Sequence, residues 1–327
     1  MKNIGVFCGG YSSEYEISIK SASTILNHLP ETYNGIKIIL SPSGWHVEMN
    51  NRKGIFNLNT GNIEFPDQGP LRLDGAIVYI HGNPGENGKV QAILDILDIP
   101  YVNANVLSSA LSFDKWYCNQ FLKSFDFPVA KAILLRKGDS INEQELIESL
   151  GLPLFVKPTD SGSSYGISKV KQTQDLSHAI HSAFKEGDTI VLESFLDGIE
   201  VTCGVYRTKN GLSALPLTEI VSENEFFDFE AKYQGKSNEI TPARISNEQT
   251  CSIQNQAKQI YQVLNLKSIA RIDFMLVGET PYVIEVNTTP GFSSESIVPK
   301  MLTEAGISIR DFWKSILETD LLLRKGI

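Results

Sequence analysis

The chain has 327 residues, 42% of them hydrophobic and 20% charged, enough apolar material for two or three cored domains. Lys and Arg total 29 against 38 Asp and Glu, a net charge of -9, which excludes a general nucleic-acid surface but not a polyphosphate held by a few local cations. No apolar run reaches the length that spans a bilayer, and the opening MKNIGVFCGGYSSEYE breaks at a glycine pair too early for a secretory signal.

In chain order, Asn3–Cys8 reads as a strand, Gly9–Tyr15 as a loop and Ile17–Leu29 as an amphipathic helix. Gly35–Leu40 and Gly75–His81 read as buried strands and Asn87–Leu97 as a helix before Pro100. Strands alternating with helices predict a parallel α/β layer over residues 1–103. Phe113–Phe125 reads as one helix, Ala130–Leu135 and Leu154–Lys157 as strands, and the polar turn TDSGSSYG leads into Ile167–Val170. Helix Gln174–Lys185 and strand Thr189–Phe195 complete a second, α+β unit over 104–193. In the third unit, 194–327, the strands lengthen, and Ser222–Thr241 is a long polar loop of the kind that serves function. Helix Asn247–Leu264, a hairpin of Ser268–Val277 and Tyr282–Asn287, and two closing helices follow.

The four cysteines, Cys8, Cys118, Cys203 and Cys251, share no CxxC-type spacing, so they read as unpaired thiols in a reducing cytoplasm rather than a zinc knuckle. His178 and His181 fit one helix face, a metal pair or, with no acidic or sulfur ligand nearby, a solvated face. Neither GxSxG, HExxH nor GxxxxGK[ST] occurs, which leaves serine hydrolase, zincin and P-loop readings without support.

The strongest chemical signal is SIARIDFMLVGETPYVIEVNTTPG. Side chains alternate faces along a strand, so Arg271 and Asp273 share one, as do Glu285 and Asn287. A connection of three to five residues around Gly278–Pro281 sets facing residues to numbers summing to about 558–560, which puts Asp273 opposite Glu285 or Asn287. Two such carboxylates repel, and a divalent cation resolves the conflict. Oxygen-only ligands select Mg²⁺ or Mn²⁺, and magnesium keeps positions for phosphate oxygens. The alternative is a charged, solvent-facing strand with Arg271 paired to Asp273. Upstream, LFVKPTDSGSSYGISKV places Lys157 at a strand end before small residues whose N–H groups can face phosphates, and Lys115 is a second available cation.

At this point the chain resembles the D-alanine–D-alanine ligase family of ATP-grasp enzymes, in the form found in Bacteroidetes-type bacteria. The resemblance runs in order through GGYSSEYEISIKSA, HGNPGENGKVQAILDILDIPY, VLSSALSFDK, FVKPTDSGSSYGISKV, LESFLDGIEVTCGV, FFDFEAKY, ARIDFM and EVNTTPGFSSESIVPK. It implies a three-domain ATP-grasp architecture and formation of D-alanyl-D-alanine through an acyl phosphate. It also implies ATP, two Mg²⁺ or Mn²⁺ ions, a cytoplasmic place and a homodimer, with no nucleic-acid or membrane partner.

Carried over by position, Asp273, Glu285 and Asn287 would bind the metal, and Lys115, Lys157, Ser164 and Lys232 the phosphates. Glu193 and Leu196 would frame the adenine and Glu200 the ribose. Arg271 and the Gly291 N–H would form the oxyanion hole. Glu16 would hold the first D-alanine ammonium with His81 near its carboxylate. Ser163 and Tyr233 would link to Glu16 and tie the long loop down, and Ser296 with the Ile297 backbone would take the second carboxylate. Three departures bear on the acceptor: Asn87 where Asp is usual, Ser161 where Glu is common, and VNAN before VLSS. The rivals are a ligase joining D-serine or D-lactate, against which EAKY argues for D-lactate, and a catalytically silent nucleotide-binding paralogue. A Rossmann dehydrogenase fails because GGYSSE is not GxGxxG.

Overall fold

Apolar residues fill the first strand because the layers on either side of it cover both of its faces. The computed structural model describes residues 1–160, 166–222 and 237–323, and builds the N-terminal layer on β1 (Lys2–Gly9). Helix α1 (Tyr15–Asn27) packs on it, and β2 (Tyr33–Ser41) pairs with it in parallel. An antiparallel meander that the sequence reading did not include then runs outward: β3 (Gly44–Met49), β4 (Arg52–Phe56), β5 (Asn62–Phe65) and β6 (Gln68–Arg72). Strand β7 (Gly75–Val78) returns to the other edge of β1 in parallel, followed by α2 (Lys89–Ile96). The parallel part is therefore the three strands β2-β1-β7 of a seven-stranded sheet.

The expected helix Phe113–Phe125 is two, α3 (Val106–Phe113) and α4 (Lys115–Lys123). Asp114 divides them: its backbone is extended and its carboxylate accepts from the Tyr117 N–H, capping α4. Next come β8 (Ala132–Arg136), α5 (Glu143–Leu150), β9 (Leu154–Pro158), β10 (Ser168–Val170), α6 (Leu176–Ala183) and β11 (Thr189–Ser194). Their four strands make an antiparallel sheet ordered β10-β9-β11-β8. Helix α5 was not read in the sequence. His178 and His181 lie exposed on α6, the solvated-face reading.

The third sheet holds β12 (Ile199–Thr208), β13 (Gly211–Ala214), β14 (Thr218–Ser222), β15 (Ser237–Ile240), then, after α7 (Asn247–Val263), β16 (Ile269–Val277) and β17 (Thr280–Asn287). Residues 223–236 of the expected polar loop, and Ser161–Tyr165 of the glycine-serine turn, lie outside the described residues. Helices α8 (Ile297–Glu304) and α9 (Ile309–Leu323) close the chain.

Two packing facts position the site. Helices α3 and α4 lie on β17, with Cys118 and Leu122 buried in the core of the third sheet. Helix α9 returns to the first sheet, where Phe312, Trp313, Ile316, Leu317 and Leu321 share a core with Ile4 and Val6. Tyr79, Phe292 and Trp313 pack edge-to-face there, with Phe292 and Trp313 centroids 5.1 Å apart. Cys8, Cys118 and Cys203 are buried, and burial pushes each thiol up to about 12, which makes them inert packing groups.

Candidate active site

The glycine pair after β1 serves geometry. Gly9 and Gly10 have φ of +85° and +107°, and a Cβ on Gly9 would sit 2.3 Å from the Leu40 carbonyl oxygen. The turn is fastened by Ser18, whose hydroxyl accepts from the Gly9 N–H and donates to the Tyr79 carbonyl. It delivers Glu14, directly before α1, into a cleft of about 750 Å³. Glu14 is buried and lines that cleft, whereas Glu16, the residue expected to face a substrate ammonium, is exposed in the first turn of α1 and does not. Glu14 enters the cleft because it precedes the helix, while Glu16 stands on the exposed face of its first turn.

On the same wall, His81 is buried, and its Nδ1 lies 2.9 Å from the Thr289 carbonyl oxygen. A carbonyl only accepts, so Nδ1 carries the proton and Nε2 is left to accept from the Ser21 hydroxyl at 3.3 Å. Burial lowers the His81 pKa against the opposing pull of Glu14, so the ring is neutral. Beside it stands Glu86, which the sequence reading assigned no role. Its carboxylate accepts from the Gly82 N–H at 2.7 Å. Burial first, then the Glu14 charge, pushes the Glu86 carboxyl up to about 8, outweighing the backbone hydrogen bonds. Its signal in the sequence was HGNPGE, whose Gly85 admits no side chain: a Cβ there would lie 2.2 Å from the Ile80 carbonyl oxygen.

The opposite wall is the hairpin. Asp273 faces Glu285 and Arg271 faces Asn287, the register expected. The turn itself is tighter, two residues, Gly278 and Glu279, and a bulge after Asp273 resets the pairing toward the turn. Arg271 clasps Asp273 through two hydrogen bonds of 2.8 Å each, and both side chains are largely buried. The ion pair named as the alternative is thus present, but on an inward face. Thr202 also donates to Asp273, and the Asn287 amide donates to it at 3.0 Å. Glu285 has its own cation, Lys115 Nζ at 4.0 Å. Two carboxylates and an amide supply only hard oxygen donors, which suits Mg²⁺ or Mn²⁺. Among the described residues no three His, Cys, Asp or Glu side chains cluster for a metal, so the amide is needed to complete the set.

Between the walls runs Thr288–Gly291, pinned by His81 on Thr289 and by the Tyr79 hydroxyl, which donates to the Pro290 carbonyl at 2.8 Å. Gly291 leads to Ser296, the N-cap of α8, whose hydroxyl accepts from the Ser293 N–H at 3.0 Å. The positive end of α8 at Ile297 therefore opens on the cleft.

Lys157, Glu193, Leu196 and Glu200 do not line this cleft; they lie along the second sheet and the start of β12. Lys157 Nζ meets Glu193 at 2.7 Å. Burial pulls the Lys157 pKa down, but Glu193 outweighs it, with Glu285 and Glu200 adding, and the net shift is upward. Ser163, Ser164, Lys232 and Tyr233, like Ser161, fall outside the described residues. Asn87 does not line the cleft; its amide donates to Asn83. Asn103 accepts from the Val78 N–H and Asn105 caps α3, so VNAN is structural here.

A carboxylate–amide hairpin facing lysines and an anion-ready helix end is the arrangement of an ATP-grasp carboxylate ligase. The family descriptions "D-ala D-ala ligase N-terminus" and "D-ala D-ala ligase C-terminus" match residues 3–104 and 121–318. The D-alanine–D-alanine ligase of Flavobacterium johnsoniae is 43% identical over 98% of this chain and 100% of that protein. Among solved structures, a D-Ala:D-Ser ligase from Enterococcus faecalis is 30% identical with a TM-score of 0.85, covering 97% of this chain and 98% of that one. D-alanyl-alanine synthetase A from Vibrio cholerae is 28% identical with a TM-score of 0.87, covering 98% of each chain. The chain belongs to the D-alanine–D-alanine ligase family.

Proposed function

We propose that this cleft joins two D-alanines into D-alanyl-D-alanine at the expense of ATP, for peptidoglycan precursor synthesis. The observation that carries the reading is the opposition of two unlike walls: Glu14, His81 and Glu86 on one side, and Arg271, Glu285 and Asn287 on the other, with Asp273, which does not itself line the cleft, paired to Arg271 and facing Glu285 across the hairpin. The first wall is a seat for an ammonium group, and Glu14 takes that role in place of Glu16. The second is a seat for phosphates.

The first D-alanine carboxylate attacks the γ-phosphorus of ATP; ADP leaves and an acyl phosphate forms. Lys115, Lys157 and Lys232 would neutralise phosphate oxygens and Ser164 would donate a hydrogen bond to one, Glu193 and Leu196 would border the adenine, and Glu200 would take the ribose. Asp273, Glu285 and Asn287 would hold Mg²⁺ or Mn²⁺, which would supply charge neutralisation for the phosphates. Asp273 also clasps Arg271, so guanidinium and cation compete for one carboxylate. The second D-alanine amine attacks the acyl carbon, its negative oxygen is stabilised by Arg271 and the Gly291 N–H, and phosphate leaves. Ser296 and the Ile297 N–H orient the second carboxylate at the α8 N-terminus.

We also infer three units, 1–103, 104–193 and 194–327, supported by the three sheets, and a homodimer in the cytoplasm, supported by family membership; no helix among the described residues is long and apolar enough to cross a membrane. Sedimentation as a monomer at micromolar concentration would remove the dimer. The test of the function is phosphate release with ATP, Mg²⁺ and a panel of D-alanine, D-serine, D-lactate and L-amino acids. Release with D-alanine alone, and D-alanyl-D-alanine as product, is expected; faster release with D-serine as the second substrate would overturn the specificity, and no release with any of them the reaction.

A further inference from the structure

Helix α3 buries three serines, Ser108, Ser109 and Ser112. Two are spent on the protein: Ser108 donates to the Asn265 carbonyl at 3.3 Å, and Ser109 donates to the Ala104 carbonyl at 3.2 Å. Ser112, one turn further on, is 5% exposed and its Oγ has no hydrogen-bond partner. It is also the serine of the three that lines the cleft. A buried hydroxyl without a partner is a standing cost that folded chains avoid unless something outside the fold supplies the partner.

The surroundings define that partner. Ser112 stands three residues before Lys115, whose ammonium faces Glu285, and the same cleft is lined by Glu86, Arg271 and Gly291. Glu86 accepts from the Gly82 N–H and Glu285 pairs with Lys115, so neither carboxylate holds the hydroxyl. Lys115 lies one helical turn from Ser112 and Arg271 lines the same cleft, so the ligand atom these cations favour beside the hydroxyl is an anionic oxygen. We propose that Ser112 is a further binding residue of this site, its hydroxyl donating to an anionic oxygen of the reacting pair, either on the γ-phosphate of ATP or on the carboxylate of the first amino acid.

This rests on the ligase reading above, and the wild-type assay separates the two: phosphate release that fails in the wild type sinks that reading, whereas this proposal is judged by the ratio of variant to wild type. The variants are Ser112→Ala, which deletes the hydroxyl, and Ser112→Cys, which is somewhat larger and keeps only a weak donor. Each is assayed for kcat, for both KM values, for the affinities of ATP and ADP, and for Tm. Deleting an unpartnered buried hydroxyl leaves Tm unchanged or higher, while a lost hydrogen bond to a charged oxygen lowers kcat/KM about tenfold to a hundredfold. Weaker ATP with unchanged ADP identifies the γ-phosphate. A raised KM for the first D-alanine with nucleotide affinity unchanged identifies the carboxylate. Kinetics within threefold of wild type in both variants, or a lowered Tm with activity lost in proportion to unfolding, would overturn the proposal.

Discussion

The two walls of the cleft carry similar numbers of carboxylates and manage them by opposite means. On the N-terminal wall, Glu86 and His81 are held by backbone groups, Gly82 N–H and Thr289 carbonyl, and burial drives both toward their neutral forms. On the hairpin wall each carboxylate has its own cation, Arg271 for Asp273 and Lys115 for Glu285. One wall lowers its charge; the other keeps its charge and balances it. A wall of the first kind receives a ligand without rearranging, and a wall of the second kind exchanges partners when a ligand arrives.

The largest test of this contrast is Arg271→Met. If the guanidinium serves the oxyanion, kcat falls about 10²- to 10³-fold with little change in ATP affinity. Equal losses in both, measured by steady-state kinetics and nucleotide titration, would make Arg271 a phosphate ligand. Next is Asp273→Asn, which leaves Arg271 largely buried without its counter-ion; breaking such a pair costs about 3 kcal/mol at the lower end of the usual range. A urea melt showing higher stability would mean that repulsion between Asp273 and Glu285 outweighs the pairing with Arg271.

The N-terminal wall predicts a pH effect of the opposite sense to most acids. Glu86 binds its proton more tightly in the fold than in the unfolded chain, so stability declines as pH rises from the ordinary carboxylate range to about 8. Glu86→Gln should flatten that decline and raise Tm by a few degrees at pH 8.5, with little change at pH 5. A wild-type Tm that climbs across this window would contradict it. The smallest expected effect is Tyr79→Phe, which removes one hydrogen bond to the Pro290 carbonyl, about 1 kcal/mol. It should raise the KM of the second substrate more than that of ATP, because it loosens the segment leading to Gly291 and Ser296.

Legibility in the sequence followed the same division. The hairpin could be read because alternation along ARIDF and YVIEVN is local, and its register follows from the turn. The meander from Gly44 to Arg72 escaped because its strands are four to six residues long, broken by Asn, Gly and Pro, and buried on changing faces. The short helix α5, EQELIESL, hides its period in glutamates and buries only Leu146 and Leu150. The sequence could not tell Glu14 from Glu16 as the one that lines the cleft, because the motif carries both and the choice depends on where α1 begins. Glu86 went unassigned because its environment is assembled from Gly82, Glu14 and Thr289, which are far apart in the chain.

The return of α9 to the first sheet has a consequence for how the chain is made. Phe312, Trp313, Ile316, Leu317 and Leu321 complete the core that Ile4, Val6 and Ile25 begin, and Leu321 reaches within about 3 Å of where a side chain on Gly75 would sit. During synthesis the first sheet leaves the ribosome with that flank uncovered, and it stays so until α9 has been added. At typical rates of 5–20 residues per second, the interval is on the order of tens of seconds. Throughout it, the nascent N-terminal layer presents an apolar face, and that layer reaches its full stability only once α9 has docked.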